Sequence, residues 1–269
     1  MSETFKLTHF FVFPSVIIFD PSILKDIISL FFPDIRIGTL TPEKTFQEYY
    51  IAFKEEKSSR LDVKLSDDKN IIISEMLVYE DQTIEIRIQR YIASEIVDEI
   101  KRGKKDQLAQ TYVLLITALP FNGESYAISR YRLTDEYGEK KKLESSPEIL
   151  VVFYNGVEEG LNEEQKDFLK YLRTGELHKN SSLLVNKAHH AVMTINEDKY
   201  WRKELMTLEN IRKLSENKGR KEGINIERTE LLKRQISAGK SLEEAAEVLM
   251  LSKEEVDEIV GSGYLELKS

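Results

Sequence analysis

Residues 59–79 read SRLDVKLSDDKNIIISEMLVY. A polar cluster at 66–70 separates two runs rich in β-branched residues, and this pattern is typical of a β-hairpin with a short loop. If Ser66 pairs with Ile71, antiparallel pairing keeps the two residue numbers summing to 137. The pairs that this register sets on one face of the sheet are Asp62 with Glu75, Lys64 with Ile73, and Arg60 with Leu77.

The facing pair Asp62 and Glu75 suggests a metal site. Two carboxylates directly opposite each other destabilise a sheet unless a positive charge lies between them. Carboxylate oxygens suit Mg²⁺ or Mn²⁺, which keep several waters that a phosphate substrate can replace. The other interpretation of the same spacing is that both acids lie on a solvated face of the hairpin and bind nothing.

Segments within and after the hairpin follow one another in a recognisable order. They are RLDV at 60–63, IIISEM at 71–76, QTIEIRIQRYIASEI at 82–96, YVLLI at 112–116, SRYRLTDE at 129–136 and EILVVF at 148–153. Together they resemble the PD-(D/E)XK nuclease superfamily, specifically its transposase or recombination-promoting nuclease branch. The resemblance implies a bacterial, metal-dependent DNA endonuclease, linked to transposition or recombination, in which Asp62 and Glu75 ligate Mg²⁺ or Mn²⁺. The absence of cysteine fits a reducing cytoplasm, where we expect the protein.

One position departs from this family pattern. The family places Lys, or in this branch often Gln, two residues after the Glu, where it orients or polarises the attacking water. Here that position is Leu77, which has no donor, acceptor or charge. Lys64 and Arg60 are the two candidate replacements, because both share the face of the acidic pair. Equally, both cations could serve only to neutralise the acids or lie in water.

The segment from about 83 to 102 is predicted to be a helix. Its isoleucines at 84, 88, 92, 96 and 100 form an i, i+4 stripe that we expect to pack against the sheet. Arg87 and Tyr91 are four residues apart beside this stripe, where they could reach the hairpin face and a scissile phosphate. A cation–π or hydrogen-bonded pair that only borders the core is the other interpretation.

The candidate site residues therefore fall into two groups. Asp62, Glu75, Lys64 and Arg87 are the candidate catalytic residues. The candidate substrate-binding residues are Arg60, Tyr91, Arg130 and Arg132, the last two alternating with Tyr131 on a predicted strand.

Composition limits the class of protein. The 269 residues are 41% hydrophobic, which is ample for a core, and they contain no cysteine, which excludes disulfides and thiolate metal sites. The longest apolar runs are too short to span a bilayer, so we expect no membrane segment. The net charge of -8 disfavours DNA binding by the surface as a whole, so local basic clusters must carry it.

The order of elements predicts an α/β fold, a restriction-endonuclease-like mixed sheet flanked by helices, followed by an all-helical C-terminal extension. We expect a nuclease-like core over 1–177, a helical extension with a basic arm over 178–240, and a small acidic helical tail over 241–269. The extension is predicted to be a helix over 183–236, interrupted near Gly219 and Gly223. Two capping boxes, at 241–244 and 252–255, predict a pair of short helices in the tail.

The C-terminal part of the sequence consists of a basic section followed by an acidic one. Residues 199–240 carry twelve Lys or Arg and six acids, whereas residues 241–269 carry two lysines and eight acids. The basic arm could bind DNA, or arm and tail could pair within or between chains, which would make a homo-oligomer through the C-terminal helices. Two functions stay open at this point: an active DNA endonuclease, and a catalytically silent homologue that binds DNA or protein partners.

Overall fold

The computed structural model describes residues 4–9, 11–43, 63–103, 108–134, 143 and 145–261. Within these residues the strands are β1 (Thr41–Pro42), β2 (Val63–Ser66), β3 (Asn70–Leu77), β4 (Gln110–Thr117), β5 (Ile128–Arg132) and β6 (Glu148–Phe153). The helices are α1 (Val12–Phe19), α2 (Ser22–Phe31), α3 (Ile84–Lys101), α4 (Glu163–Thr174), α5 (Leu183–Glu197), α6 (Lys199–Ser237), α7 (Leu242–Val248) and α8 (Lys253–Gly261). Arg60 and Asp62 lie outside the described residues.

The strands form one mixed sheet in the order β1-β2-β3-β4-β6-β5. The three central strands β3, β4 and β6 run parallel, and the outer strands pair antiparallel with them or with each other. Parallel strands need both faces covered, and their sequences are accordingly near-continuous apolar runs. The predicted mixed sheet with flanking helices and helical C-terminal part is confirmed.

The hairpin of β2 and β3 has the register that the sequence predicts. Ser66 pairs with Ile71 and Val63 pairs with Ser74, so the partners sum to 137 along the described part of the hairpin. This register is selected by the turn and by the need to bury one set of alternating side chains, because a slip of one residue would turn every side chain to the other face.

Asp67 organises the turn of this hairpin. Its carboxylate accepts hydrogen bonds from the backbone amides of Lys69 (2.8 Å), Asn70 (2.7 Å) and Gly38 (2.6 Å), and also from the Asn70 side chain. Burial acts to raise the pKa of Asp67, but the hydrogen bonds from Asn70, Lys69 and Gly38 outweigh it and leave the pKa below its ordinary value. A carboxylate is therefore built into the turn.

Helix α3 covers one face of the sheet, where Ile84 and Ile88 are buried among side chains of β3, β4 and β6. The predicted isoleucine stripe is correct at these two positions and wrong at its end, since Ile100 is 53% exposed. A strict four-residue spacing turns by about 40° per step on a helix of 3.6 residues per turn. The buried face therefore passes to Glu95 and Glu99 in the second half of α3.

Helices α1, α2, α4 and α5 pack against one another, and α1 also contacts β2. Helix α5 thus belongs to the first of two compact units, which are residues 1–205 and 206–269. This division differs from the predicted boundary after residue 177, because the apolar side of α5 is buried on α1 and α2. No helix in the described ranges combines the length and the apolar character needed to cross a membrane.

The second unit contains the C-terminal part of α6 with α7 and α8. Its core is formed by Leu232, Ala245, Ala246 and Ile259. Both predicted capping boxes are present, with the Ser241 and Ser252 hydroxyls accepting from the third residue of each helix. The predicted interruption near residues 219 and 223 is wrong, because α6 continues through both glycines. A single glycine costs a helix only about 1 kcal/mol relative to alanine.

Candidate active site

Glu75 lies near the carboxyl end of β3, in the middle of the sheet. Ile71, Ile73 and Glu75 alternate onto the face that α3 covers, and the neighbouring position on β4 is Leu115. The residue is only 4% exposed. A carboxylate buried among aliphatic side chains requires a cation or hydrogen-bond donors to remain charged.

Arg87 of α3 supplies that cation. Its guanidinium forms an ion pair with Glu75 Oε1 and a second one with Asp81 Oδ2, at 3.2 Å from Nη1. Asp81 also accepts hydrogen bonds from the backbone amide (2.9 Å) and hydroxyl (2.7 Å) of Thr83, at the start of α3. Arg87 therefore joins the hairpin to the start of α3. The sequence predicts that its side chain can reach the hairpin face, and it does.

The second oxygen of Glu75 fits a metal ion. Among the described residues Glu75 Oε2 is buried and has no hydrogen-bond partner. An anionic oxygen in that state is a suitable ligand for a hard divalent cation. A complete site needs more than one such ligand, and no group of three His, Cys, Asp or Glu suited to a metal occurs within the described part of the chain. Among the described residues, Glu75 thus supplies one metal ligand. The predicted second ligand, Asp62, lies outside the described residues.

Lys64 lies on the same face of the sheet, opposite Ile73. Its amino group forms ion pairs with Glu95 of α3 at 2.6 Å and with Glu43 at 3.1 Å, and its side chain is 16% exposed. Sequence reasoning identified Lys64 but missed Glu95. The sequence gives no local signal for the burial of Glu95, because a charged residue on a helix is assigned to solvent by default.

Two further positions border this cluster. Leu77 follows Glu75 on the same face of β3 and packs with Tyr91 of α3 against the apolar core. Leu77 thus occupies an apolar environment at the position where a polar group was expected. Tyr91, one turn beyond Arg87, lies next to the buried face without being fully enclosed.

Arg130 and Arg132 are not brought together with Glu75. Arg130 pairs with Leu150 across the sheet, and its guanidinium contacts Glu148 and Asp34, each at 2.5 Å. The residue is on the face opposite α3, because Tyr131 lies between the two arginines and packs into the core under α3. The hydrogen bond from Arg130 is the main cause that holds the pKa of Asp34 below its ordinary value.

The residues brought together are thus Glu75, Arg87 and Asp81, with Lys64 and Glu95 nearby on the same face. A buried carboxylate that Arg87 neutralises at one oxygen, and whose other oxygen has no hydrogen-bond partner among the described residues, has the chemistry of a metal ligand. The structure leaves the roles of the individual residues as predictions. It adds Asp81 and Glu95 to the set, and both hold a cation in place.

Comparison with known proteins agrees with this geometry. The family model described as PD-(D/E)XK nuclease family transposase matches residues 22–222, which include both β3 and α3. The mixed sheet with flanking helices is consistent with a restriction-endonuclease-like α/β fold. Nucleases of this kind generally use divalent metals, and the family has a nuclease-like, transposition-related role. No curated protein and no solved structure matches the chain.

Proposed function

Because the chain belongs to the PD-(D/E)XK nuclease family transposases, we propose that it is an endonuclease that hydrolyses phosphodiester bonds of DNA with Mg²⁺ or Mn²⁺. The observation that carries the proposal is Glu75, a buried strand carboxylate whose Oε2 has no hydrogen-bond partner among the described residues. Burying such a group without function costs several kcal/mol in general, so its retention favours a ligand.

The second ligand in this proposal is Asp62. The hairpin pairs Val63 with Ser74. One more pair in the same register would set position 62 opposite Glu75. Facing positions of an antiparallel pair have Cβ atoms about 4.5–5.5 Å apart, so two carboxylates there can share one ion. The support for this step is the confirmed register of the described residues.

The side chains of the described site would act as follows. When bound, a divalent ion supplies Lewis acidity toward phosphate oxygens and lowers the pKa of a coordinated water. Glu75 would hold the ion. Arg87 stays protonated at any pH of interest, so it stabilises the charge that develops on the phosphate instead of acting as a base. Asp81 keeps Arg87 aimed at Glu75 throughout.

Lys64 is our candidate for the role that Leu77 cannot perform. We place the chain in the recombination-promoting nuclease branch, whose usual polar residue at this position is replaced here by leucine. The Lys64 ammonium is on the correct face and is positioned by Glu95 at 2.6 Å. Such a held ammonium can orient a water or stabilise phosphate charge. Arg60 is the alternative, and Tyr91 would contact the substrate beside Arg87.

Two observations favour a second function. Leu77 packs into the apolar core and Arg87 already neutralises Glu75, as expected of a catalytically silent homologue that binds DNA or protein partners. In that case the C-terminal helices would act as the binding or oligomerising part. Arg130 and Arg132, predicted to contact substrate, would then lie on a separate face from the former site.

Replacement of Asp62 by Asn separates the two functions. For an active nuclease we expect the variant to lose cleavage of supercoiled DNA in Mg²⁺ while its DNA affinity in EDTA is unchanged. Calorimetric titration with Mn²⁺ should show weaker metal binding by Asp62→Asn than by the parent and by Asp68→Asn, a turn control with the same chemical change. Equal Mn²⁺ binding by all three proteins would exclude Asp62 as a ligand.

A further inference from the structure

The described side chains in the middle of helix α6 are almost all exposed to solvent. From Lys213 to Glu227, among side chains that the structure describes, only Asn225 is half-buried and all others are exposed. Exposed side chains contribute little packing energy to a helix. This part of α6 therefore requires a reason other than core formation.

Basic residues form one face of this exposed part. Lys213, Arg220, Lys221 and Arg228 fall within an arc of about 100°, because each residue advances by about 100° on a helix of 3.6 residues per turn. They extend over about 22 Å of the axis at 1.5 Å per residue. Arg220 and Lys221 have no ion-pair partner among the described residues, whereas Lys213 lies 3.5 Å from Glu209 one turn away.

The C-terminal end of this basic face is already occupied by an anion from the same chain. Glu255 of α8 contacts Arg228 at 2.7 Å, and Glu258 accepts a hydrogen bond from Asn225 at 3.2 Å. The carboxylate of Glu255 is held in place, because its other oxygen accepts the Ser252 amide in the capping box at 2.8 Å. An arginine–carboxylate pair has the same geometry as an arginine–phosphate pair.

We propose that the basic face of α6, from Lys213 to Arg228, binds the phosphate backbone of duplex DNA, and that α8 competes with DNA for its C-terminal end through Glu255 and Glu258. The inference rests on DNA being the substrate of the nuclease proposed above. Charge complementarity identifies the ligand, since a row of four cations on one side of a helix, with Arg220 and Lys221 exposed at its centre, suits a regular row of phosphates. The acidic tail then limits affinity until DNA displaces it.

One set of variants tests DNA binding by the basic face of α6 and should weaken DNA affinity. A second set tests competition by α8 and should strengthen it. Binding to a labelled DNA duplex is followed by fluorescence anisotropy in EDTA, over a range of salt concentrations. Each phosphate contact changes the slope of log K against log salt by about 0.9, which at 0.15 M salt corresponds to about fivefold in affinity. Arg220→Ala with Lys221→Ala should therefore weaken binding by about 30-fold and reduce the slope by about 1.8.

Glu255→Gln should have the reverse effect. Glutamine at this position keeps the capping box, so α8 stays folded while Arg228 is released. Binding should become about fivefold tighter and the slope steeper by about 0.9. The matched control is Lys166→Ala with Lys170→Ala on α4, which removes the same charge from the first unit and should leave affinity unchanged.

Three results would overturn the inference. DNA affinity of Arg220→Ala with Lys221→Ala equal to that of the control excludes the α6 face, and unchanged affinity of Glu255→Gln excludes competition by α8. If sedimentation shows that the double variant dissociates an oligomer without losing DNA affinity, the face binds a second copy of the chain. The binding assay is run in EDTA and does not depend on cleavage. The DNA-binding inference can therefore be tested even if the protein does not cleave DNA.

Discussion

Replacing Arg87 by alanine should destabilise the first unit by several kcal/mol. Arg87 is the cation between two buried acids, and the side chains of Arg87, Glu75 and Asp81 are 12%, 5% and 5% exposed. Removing one member of a buried ion pair typically costs about 3–5 kcal/mol, because the opposite charge stays buried without compensation. Here two carboxylates would be left, so we expect a value in that range.

Thermal unfolding followed by circular dichroism measures this effect. For a unit of about 200 residues each kcal/mol lowers Tm by roughly 2–4 °C, so we expect a fall of roughly 6–20 °C. Arg90→Ala is the matched control, since Arg90 is exposed on the same helix and surface substitutions usually change stability by less than about 0.5 kcal/mol. A Tm for Arg87→Ala that equals that of Arg90→Ala would refute the buried ion pair.

The same variant reports on the metal site. If Glu75 Oε2 is a metal ligand, Mn²⁺ supplies the positive charge that Arg87→Ala has removed, and ligand binding raises stability by mass action. Added Mn²⁺ should therefore restore part of the lost Tm in Arg87→Ala and have no such effect in Glu75→Gln with Arg87→Ala. Equal Tm changes on addition of Mn²⁺ to both variants would contradict a ligand role for Glu75.

Three further changes test other parts of the structure. Lys64→Met should lower the free energy of unfolding by about 3 kcal/mol, since it leaves Glu95 buried and unpaired. Lys64→Met with Glu95→Met should recover most of this loss, and a denaturant titration measures both variants. Asp67→Ala should cost at least about 2 kcal/mol through lost charge-assisted hydrogen bonds. Because the folded pKa of Asp67 is below its ordinary 3.8, this contribution is complete above pH 3.8 and disappears as the pH falls through the folded pKa, so parent and variant should converge in acid titrations of stability. Gly219→Ala and Gly223→Ala should each stabilise α6 by about 0.5–1 kcal/mol, because an added Cβ has open space at both positions, and a lower helix melting temperature would contradict this.

Local signals explain which parts of the fold were predictable. The hairpin register follows from the polar turn between 66 and 70 and from alternation on either side of it, and both are properties of a short segment. Helix α3 and the two capped helices of the tail follow from periodicity and from serine–glutamate spacing. Each of these predictions depends on neighbours within a few residues in sequence.

Long-range contacts explain the rest. Charged residues are assigned to solvent by default, so the burial of Glu95 is visible only when Lys64 is known to lie across from it. Arg130 is a second example. Alternation along β5 shows that Arg130 and Tyr131 point to opposite faces of the sheet, but it does not show which face carries the site. The contact of Arg87 with the hairpin face was therefore predictable, and the acids Asp81 and Glu95 that hold the two cations were not.

Nicking of supercoiled DNA tests the central claim most directly. Purified parent protein and Glu75→Gln are incubated with supercoiled plasmid in Mg²⁺, in Mn²⁺ and in EDTA, and Glu85→Gln, an exposed glutamate on α3, is the matched control. We predict nicking by the parent and by Glu85→Gln in either metal, none in EDTA, and none by Glu75→Gln. Equal nicking by Glu75→Gln and the parent, or no nicking by the parent in either metal, would contradict the proposal that Glu75 serves a metal-dependent nuclease.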